Sequence, residues 1–379
     1  MFSMLWSFLT YLVPFVVVLS TVVFFHEMGH FLVGRWCGVK IDAFSLGIGP
    51  ELLGFNDSKG TRWRLALFPI GGYVKFSGDA NGASAPDNST IAGMTPEERA
   101  LTLPAQKVWK RAAIVAAGPI ANFLLSLFIF SALFYANGEQ VLQPKVASVQ
   151  ADSVAAAAGF QPNDLVVAID GSQIASFEDM SRIIVSSPGI PLQFTVLRNG
   201  ADVQIVAAPR SVTEPSKIGP MTLGRMGLVG SRDPADLRHV TYGPLTAIRA
   251  GANETWFWVA NTGTSIKRMV TGQASAQQLS GPIRIGELAG QLARVSVESL
   301  ISLIAVLSVS IGLLNLVPIP MLDGGHLMFY AYEAAFGRPM SERVQEIGFR
   351  FGLATVGALM LFAVSNDLLN LLRQFKIFG

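Results

Sequence analysis

Residues 24–31 read FFHEMGHF and close an apolar run that begins at Met1. His26 and His30 are spaced i, i+4, so a helix carries both imidazoles on one face. Glu27 between them completes H-E-x-x-H, the arrangement in which two imidazoles hold Zn2+ and the carboxylate serves as general base. With four histidines in 379 residues, composition alone rarely produces this pentapeptide. Ionisable groups at membrane depth cost about 2.5–3.5 kcal/mol each on insertion scales, and a bound cation offsets that cost. The competing reading is a helix end at the interface with all three groups solvated.

A catalytic zinc ion takes three protein ligands and leaves a position for water. Cys37 is the one cysteine. It excludes an internal disulfide framework and a Cys-rich zinc site, and reads as a packing residue. His239 sits in a stretch that reads as solvated. The better third ligand lies in residues 312–327, GLLNLVPIPMLDGGHL. There Asp323 follows roughly 20 apolar residues, a bilayer's worth, as His26 does. His326 is the alternative ligand. Asp323 can also be read as an N-cap, with Gly324 and Gly325 forming the turn.

Apolar helices must position these groups. The chain is 51% hydrophobic and only 14% charged, against about 25% charged in average soluble domains, with mean hydropathy +0.45. Its net charge of +2 gives neither a nucleic-acid footprint nor an acidic-partner field. Four stretches, 5–25, 112–136, 300–322 and about 351–372, are long enough to span. The last is interrupted by Asn366 and Asp367. The first lacks a basic n-region and an A-x-A-like site, and is expected to be retained. Ten Lys and Arg fall in 32–111, and Arg338, Arg343 and Arg350 precede the fourth stretch. The positive-inside rule then places both termini outside and these two segments in the cytoplasm. Spans one and three run in the same direction, so His26 and Asp323 reach a common depth on the cytoplasmic side.

Residues 142–230 read as a small β-rich domain with an amphipathic helix at 176–187 and a hairpin about Asn199-Gly200. Residues 79–106 are rich in Gly, Ala, Ser and Pro and read as a mobile loop with a helical turn at 95–100. Residues 242–270 combine Trp256, Phe257 and Trp258 with charged residues, as a helix lying at the outer interface does.

The segment AAAAGFQPNDLVVAIDGSQI together with GRMGLVG resembles a circularly permuted PDZ domain of the protease-associated kind, which implies capture of peptide chain ends by strand addition. HEMGH in the first span, GPIANF in the second, that insertion, and NLVPIPMLDGGH in the third together resemble the site-2 protease family of intramembrane zinc metalloproteases. The branch is that of the bacterial regulators of sigma-E, in a single-PDZ form. The resemblance implies one zinc per chain held by His26, His30 and Asp323, with Glu27 as catalytic base. It implies substrate handling by Asn315, Pro318 and Pro320. FSLGIGP and LALFPIGGYVKF match the family's re-entrant β element, which implies that the edge at Gly71, Gly72 and Tyr73 holds unwound substrate. A peripheral hairpin on the inner leaflet is the alternative.

The expected fold is a polytopic α-helical membrane protein. Transmembrane helices are expected at 1–34, 111–137, 299–325 and within 326–379. A membrane-associated β-hairpin region is expected at 35–110, one inserted PDZ-like α+β domain at 138–230, and an interfacial segment at 231–298. The expected function is cleavage of a transmembrane segment of a single-span protein, of anti-sigma-factor or remnant-signal-peptide type, in regulated intramembrane proteolysis at the bacterial inner membrane. Expected partners are that substrate, the lipid bilayer and a peptide end at the PDZ-like domain, with no nucleic acid. The rival is a non-catalytic membrane PDZ receptor or chaperone with a structural metal.

Overall fold

The computed structural model describes residues 2–79, 88–216, 219–231, 233, 236–271 and 281–374. It divides into two units, 1–132 with 247–267 and 275–379, and 133–246 with 268–274.

The first unit opens with helix α1 (Phe2–Trp36), whose last turns carry the H-E-x-x-H residues. Strands β1 (Ile41–Asn56) and β2 (Arg62–Phe76) follow. Their register is doubled, because Ala43 to Leu46 pair with both Arg62 to Leu65 and Gly72 to Lys75, while Leu65 to Arg62 also pair with Leu53 to Asn56. Two long strands thus make four rungs, with 72–76 on one edge of the sheet. Gly47, Gly49 and Gly71 lie at φ +89°, +100° and +92° where the strands bend, a region glycine enters without a Cβ clash. Phe31 of α1, Phe44, Val74 and Phe76 form a buried cluster that fastens the sheet to α1.

Short helices α2 (Asn88–Ala92) and α3 (Pro96–Ala100) come next. The helical turn expected at 95–100 is α3, closed by a Thr95–Glu98 capping box. Much of the loop expected before it, residues 80–87, lies outside the described residues. Helix α4 (Val108–Asn137) contains Pro119, which leaves the Val115 carbonyl without its helical donor.

The second unit holds β3 (Glu139–Leu142), β4 (Val146–Val149), α5 (Val154–Ala157), β5 (Leu165–Ile169), β6 (Ser172–Gln173) and α6 (Phe177–Ser186). It continues with β7 (Leu192–Arg198), β8 (Ala201–Ala207), β9 (Arg210–Ser216), β10 (Gly219–Arg225), β11 (Leu228–Gly230) and β12 (Leu237–Val240). The largest sheet has order β6-β5-β7-β8, and β4 pairs with β11. Asn199 and Gly200, both at positive φ, turn β7 into β8, as that dipeptide favours. Alternating apolar residues of β5, β7 and β8 pack with Met180 and Ile184 of α6.

The first unit resumes in α7 (Pro244–Val270), α8 (Pro282–Val295), α9 (Val297–Asn315), α10 (Asp323–Phe336) and α11 (Glu342–Gln374). Among the described residues, four helical segments are long and apolar enough to cross a membrane: Leu9–Trp36, Val108–Asn137, Val297–Asn315 and Glu342–Leu369.

Three features differ from expectation. The third span does not run to 325: α9 ends at Asn315 and α10 starts afresh at Asp323. Pro318 and Pro320 cannot continue a helix, and Met321 turns the chain at φ +95°. Within the expected interfacial segment, helix α7 packs against α4 and α9. Ala247 is buried, Gly251 abuts Ser131 of α4, Thr255 Oγ1 lies 3.4 Å from Ser126 Oγ, and Gly263 faces Leu313 of α9. Small residues at i, i+4 and i+8 permit that close approach, while Trp256 and Phe257 stay exposed. Helix α8 packs on α1 as well, with Gly290 against Tyr11 and Arg294 donating to Thr10 Oγ1 at 3.0 Å. Finally, the acidic interruption of the fourth span has a partner: Asp367 is buried and accepts from the backbone N–H groups of Gly281 (3.1 Å) and Arg284 (3.0 Å). It caps α8, whose N-cap Gly281 has no side chain to do so.

Candidate metal centre

The C-terminal turns of α1, the middle of α4 and the first turn of α10 meet around three side chains. His26 Nε2 lies 3.2 Å from Asp323 Oδ2, His30 Nε2 3.5 Å from Asp323 Oδ1, and the two Nε2 atoms 3.3 Å apart. Ligands about 2.0–2.1 Å from a tetrahedral Zn2+ stand roughly 3.3 Å from one another. The trio therefore has the spacing of three corners of a zinc site. Asp323 Oδ2 is buried and makes no aligned hydrogen bond among the described residues. A carboxylate whose two oxygens each face an imidazole nitrogen is poorly satisfied until a cation joins them. These residues fit the ion.

The approach of α4 to α1 depends on glycine. A Cβ on Gly118 would overlap Nε2 of His30 and lie 2.9 Å from Cε1 of His26, and one on Gly29 would overlap the Ala117 carbonyl. His30 Nδ1–H donates to the Ile114 carbonyl oxygen at 2.9 Å. That bond assigns the proton to Nδ1 and leaves the Nε2 lone pair free for a metal. Asn122 of α4 stands 3.3 Å from His26 Nδ1.

A cavity of about 280 Å³ opens beside the trio, lined by Glu27, Asn315, His326, Gly71 and Gly72 among others. Glu27 lies against Gly72, where a Cβ would stand 3.2 Å from Glu27 Cγ. The β2 edge and the H-E-x-x-H carboxylate thus share one wall. Asn315 Nδ2 comes within 3.3 Å of His26 Nε2. His326 lines the cavity but is outside the three-residue cluster.

Other expected substrate residues are placed elsewhere. Tyr73 lines no part of this cavity and its hydroxyl accepts from Arg64 Nη1 at 2.9 Å. Strand alternation turns it away from the face carrying Gly72 and Val74. Pro318 and Pro320 are likewise absent from the lining. Pro320 backs instead onto Gly348 and Gly352 of α11, so the prolines shape the chain between Asn315 and Asp323. Sequence reasoning missed Gly29, Gly118 and Asn122. Of these, Gly118 and Asn122 share a helix face at i, i+4 within GPIANF.

A family model described as Peptidase family M50 matches residues 14–359. The chain is 48% identical over 368 residues to an Agrobacterium fabrum protein whose name describes a zinc metalloprotease, covering 97% of this chain and 98% of that one. A Rhizobium meliloti protein with the same kind of name is 46% identical over 368 residues, with coverage of 97% and 98%. Metalloprotease MmpA of Caulobacter vibrioides is 40% identical over 396 residues, covering 98% of each chain.

Proposed function

The chain belongs to peptidase family M50, and from that premise we propose that it is an intramembrane zinc metalloendopeptidase cutting a peptide bond in a membrane-spanning segment of a single-span protein. The observation that carries this reading is the convergence of His26, His30 and Asp323 at 3.2–3.5 Å beside Glu27, with both histidines near the end of a helix long enough to span.

His26, His30 and Asp323 would hold the zinc. When bound, the ion supplies Lewis acidity toward the attacking water and the scissile carbonyl. Glu27 takes the proton of that water and returns it to the leaving amine. Asn315, at the rim of the trio, offers an amide N–H to the substrate carbonyl. A helical substrate must first unwind, which frees its backbone groups. The sheet edge at 72–76 takes them as an added strand, and Gly71 and Gly72 let the backbone come close.

The second unit supports a PDZ-like reading. Within it a cavity of about 330 Å³ lies between α6 and residues 224–228, lined by Phe177, Met180, Ile184 and Met226. An apolar chain end fits such a groove. We place this unit and both termini on the periplasmic side of the bacterial inner membrane, with the metal site toward the cytoplasm, on the Lys and Arg asymmetry. Substrates of anti-sigma-factor or remnant-signal-peptide type suit a unit that turns away bulky outer domains.

The test is Glu27→Gln, measured for zinc content and for cleavage of a membrane-spanning reporter. Zinc should stay at one per chain while cleavage falls about 10²–10⁴-fold, the contribution of a general base. Full cleavage by the zinc-loaded variant would remove Glu27 from the reaction.

A further inference from the structure

Asn122 is fully buried on α4 and held from behind by α9. Its backbone carbonyl accepts from Ser308 Oγ at 2.9 Å, and a Cβ on Gly312 would stand 3.2 Å from its own Cβ. Its side-chain amide, buried with the rest of the residue, faces His26 Nδ1 at 3.3 Å.

The chemistry of that contact depends on which amide atom points at the ring. As placed, Nδ2 faces Nδ1, and Oδ1 has no hydrogen-bond partner among the described residues. An N–H directed at Nδ1 requires Nδ1 to be unprotonated. The single proton of the neutral imidazole then sits on Nε2. Yet Nε2 is the atom 3.3 Å from His30 Nε2 and 3.2 Å from Asp323 Oδ2. A protonated nitrogen cannot ligate a metal.

A half-turn about the terminal torsion exchanges Oδ1 and Nδ2 with almost no change of shape. His26 Nδ1–H then donates to Oδ1, and the Nε2 lone pair turns toward Asp323 and His30. Either orientation leaves one atom of the amide without a partner. Counting hydrogen bonds thus does not choose between them, whereas the position of the imidazole proton does.

We infer that Asn122 is a positioning residue that selects the metal-ligating tautomer of His26. It does for His26 what the Ile114 carbonyl does for His30. One helix serves the two ligands differently: a backbone acceptor serves His30 and a side-chain amide serves His26. In the ligating tautomer that amide accepts from His26 Nδ1–H. This rests on the ligand assignment proposed above.

The test is zinc affinity, measured by chelator competition on the full chain purified in detergent. Asn122→Leu keeps the volume and removes the acceptor. Asn122→Asp keeps an acceptor and cannot donate. The leucine variant should bind zinc 10–100-fold more weakly, the usual cost of losing such a support. The aspartate variant should bind at least as tightly as the wild type. Unchanged zinc affinity in Asn122→Leu overturns the inference, as does equal weakening in both variants, which marks a packing role. If the leucine variant does not fold, the aspartate variant decides alone: zinc retained supports tautomer selection, and a tenfold loss overturns it. His26→Gln separates the two layers. Undiminished zinc in that variant overturns the ligand assignment and this inference with it, whereas failure confined to the Asn122 variants overturns the inference alone.

Discussion

Two aspartates, one in each unit, are treated in opposite ways. Asp164 in the second unit is fully buried and saturated. Arg198 Nε donates to Oδ1 at 2.7 Å, Arg198 Nη2 to Oδ2 at 2.8 Å, and the Gln161 N–H to Oδ2 at 2.8 Å. Every neighbour aimed at it carries a hydrogen. Asp323 in the first unit faces two imidazole nitrogens whose lone pairs a metal would use, and its Oδ2 lacks an aligned donor among the described residues. A carboxylate oxygen buried without a hydrogen-bond donor is costly. A fold retains one where a ligand completes it. One aspartate closes a structure, and the other holds a place open.

Exchanging each aspartate for asparagine sharpens this contrast most. Asp323→Asn should lower zinc affinity by more than about 100-fold, beyond what losing a supporting residue costs, while the metal-free protein melts no lower than the wild type. Asp164→Asn should leave zinc affinity untouched and weaken the second unit by on the order of 1–3 kcal/mol, since Arg198 loses a charged partner. Hydrogen exchange in β5 and β7 reads that loss. If Asp323→Asn destabilises the metal-free chain as Asp164→Asn destabilises its unit, the contrast between the two sites is gone.

Glycines test the same contrast at smaller scale. Gly118 lets α4 lie against the imidazoles, and Gly224 lets β10 lie against the Ile184 carbonyl of α6. Gly118→Ala should cost roughly tenfold or more in zinc affinity with little change in the hydrogen exchange of the second unit. Gly224→Ala should do the reverse. Overpacking of this kind typically costs about 1–3 kcal/mol.

The smallest effect concerns Asp79, just past β2. It is buried, Phe76 N–H lies 3.3 Å from its Oδ2, and burial pushes its pKa up to about 7. In the folded state this carboxyl holds its proton at pH values where the unfolded chain has released it. Its contribution to stability is therefore present in acid and fades as pH rises from about 4 to about 7. Asp79→Asn should flatten the stability profile across that window. A profile with unchanged slope would show that Asp79 is not a second poorly satisfied carboxylate.

Sequence made part of this site legible. His26, Glu27 and His30 lie within five residues on one helix, where periodicity alone aligns the histidines. Asp323 could be named as a third candidate because two apolar lengths bring it to the same level. The helix break before it was harder to read, although Pro318 and Pro320 signalled it. Asn122 and Gly118 escaped because their contacts reach some ninety residues back in the chain, and a lone amide in an apolar helix has no pattern of its own. The packing of α7 was hidden by its aromatic face, which spoke for lipid while Ala247, Gly251 and Thr255 on the other face committed it to α4. Tyr73 was grouped with its glycine neighbours by motif, and strand alternation separates them.

Zinc K-edge absorption spectroscopy of the purified full chain tests the central claim most directly. The account predicts one zinc per chain in a shell of nitrogen and oxygen alone, at about 2.0–2.1 Å, with the outer-shell signature of two imidazoles that drops to one in His26→Gln. A sulfur scatterer at about 2.3 Å, or an imidazole count unaffected by His26→Gln, would contradict it.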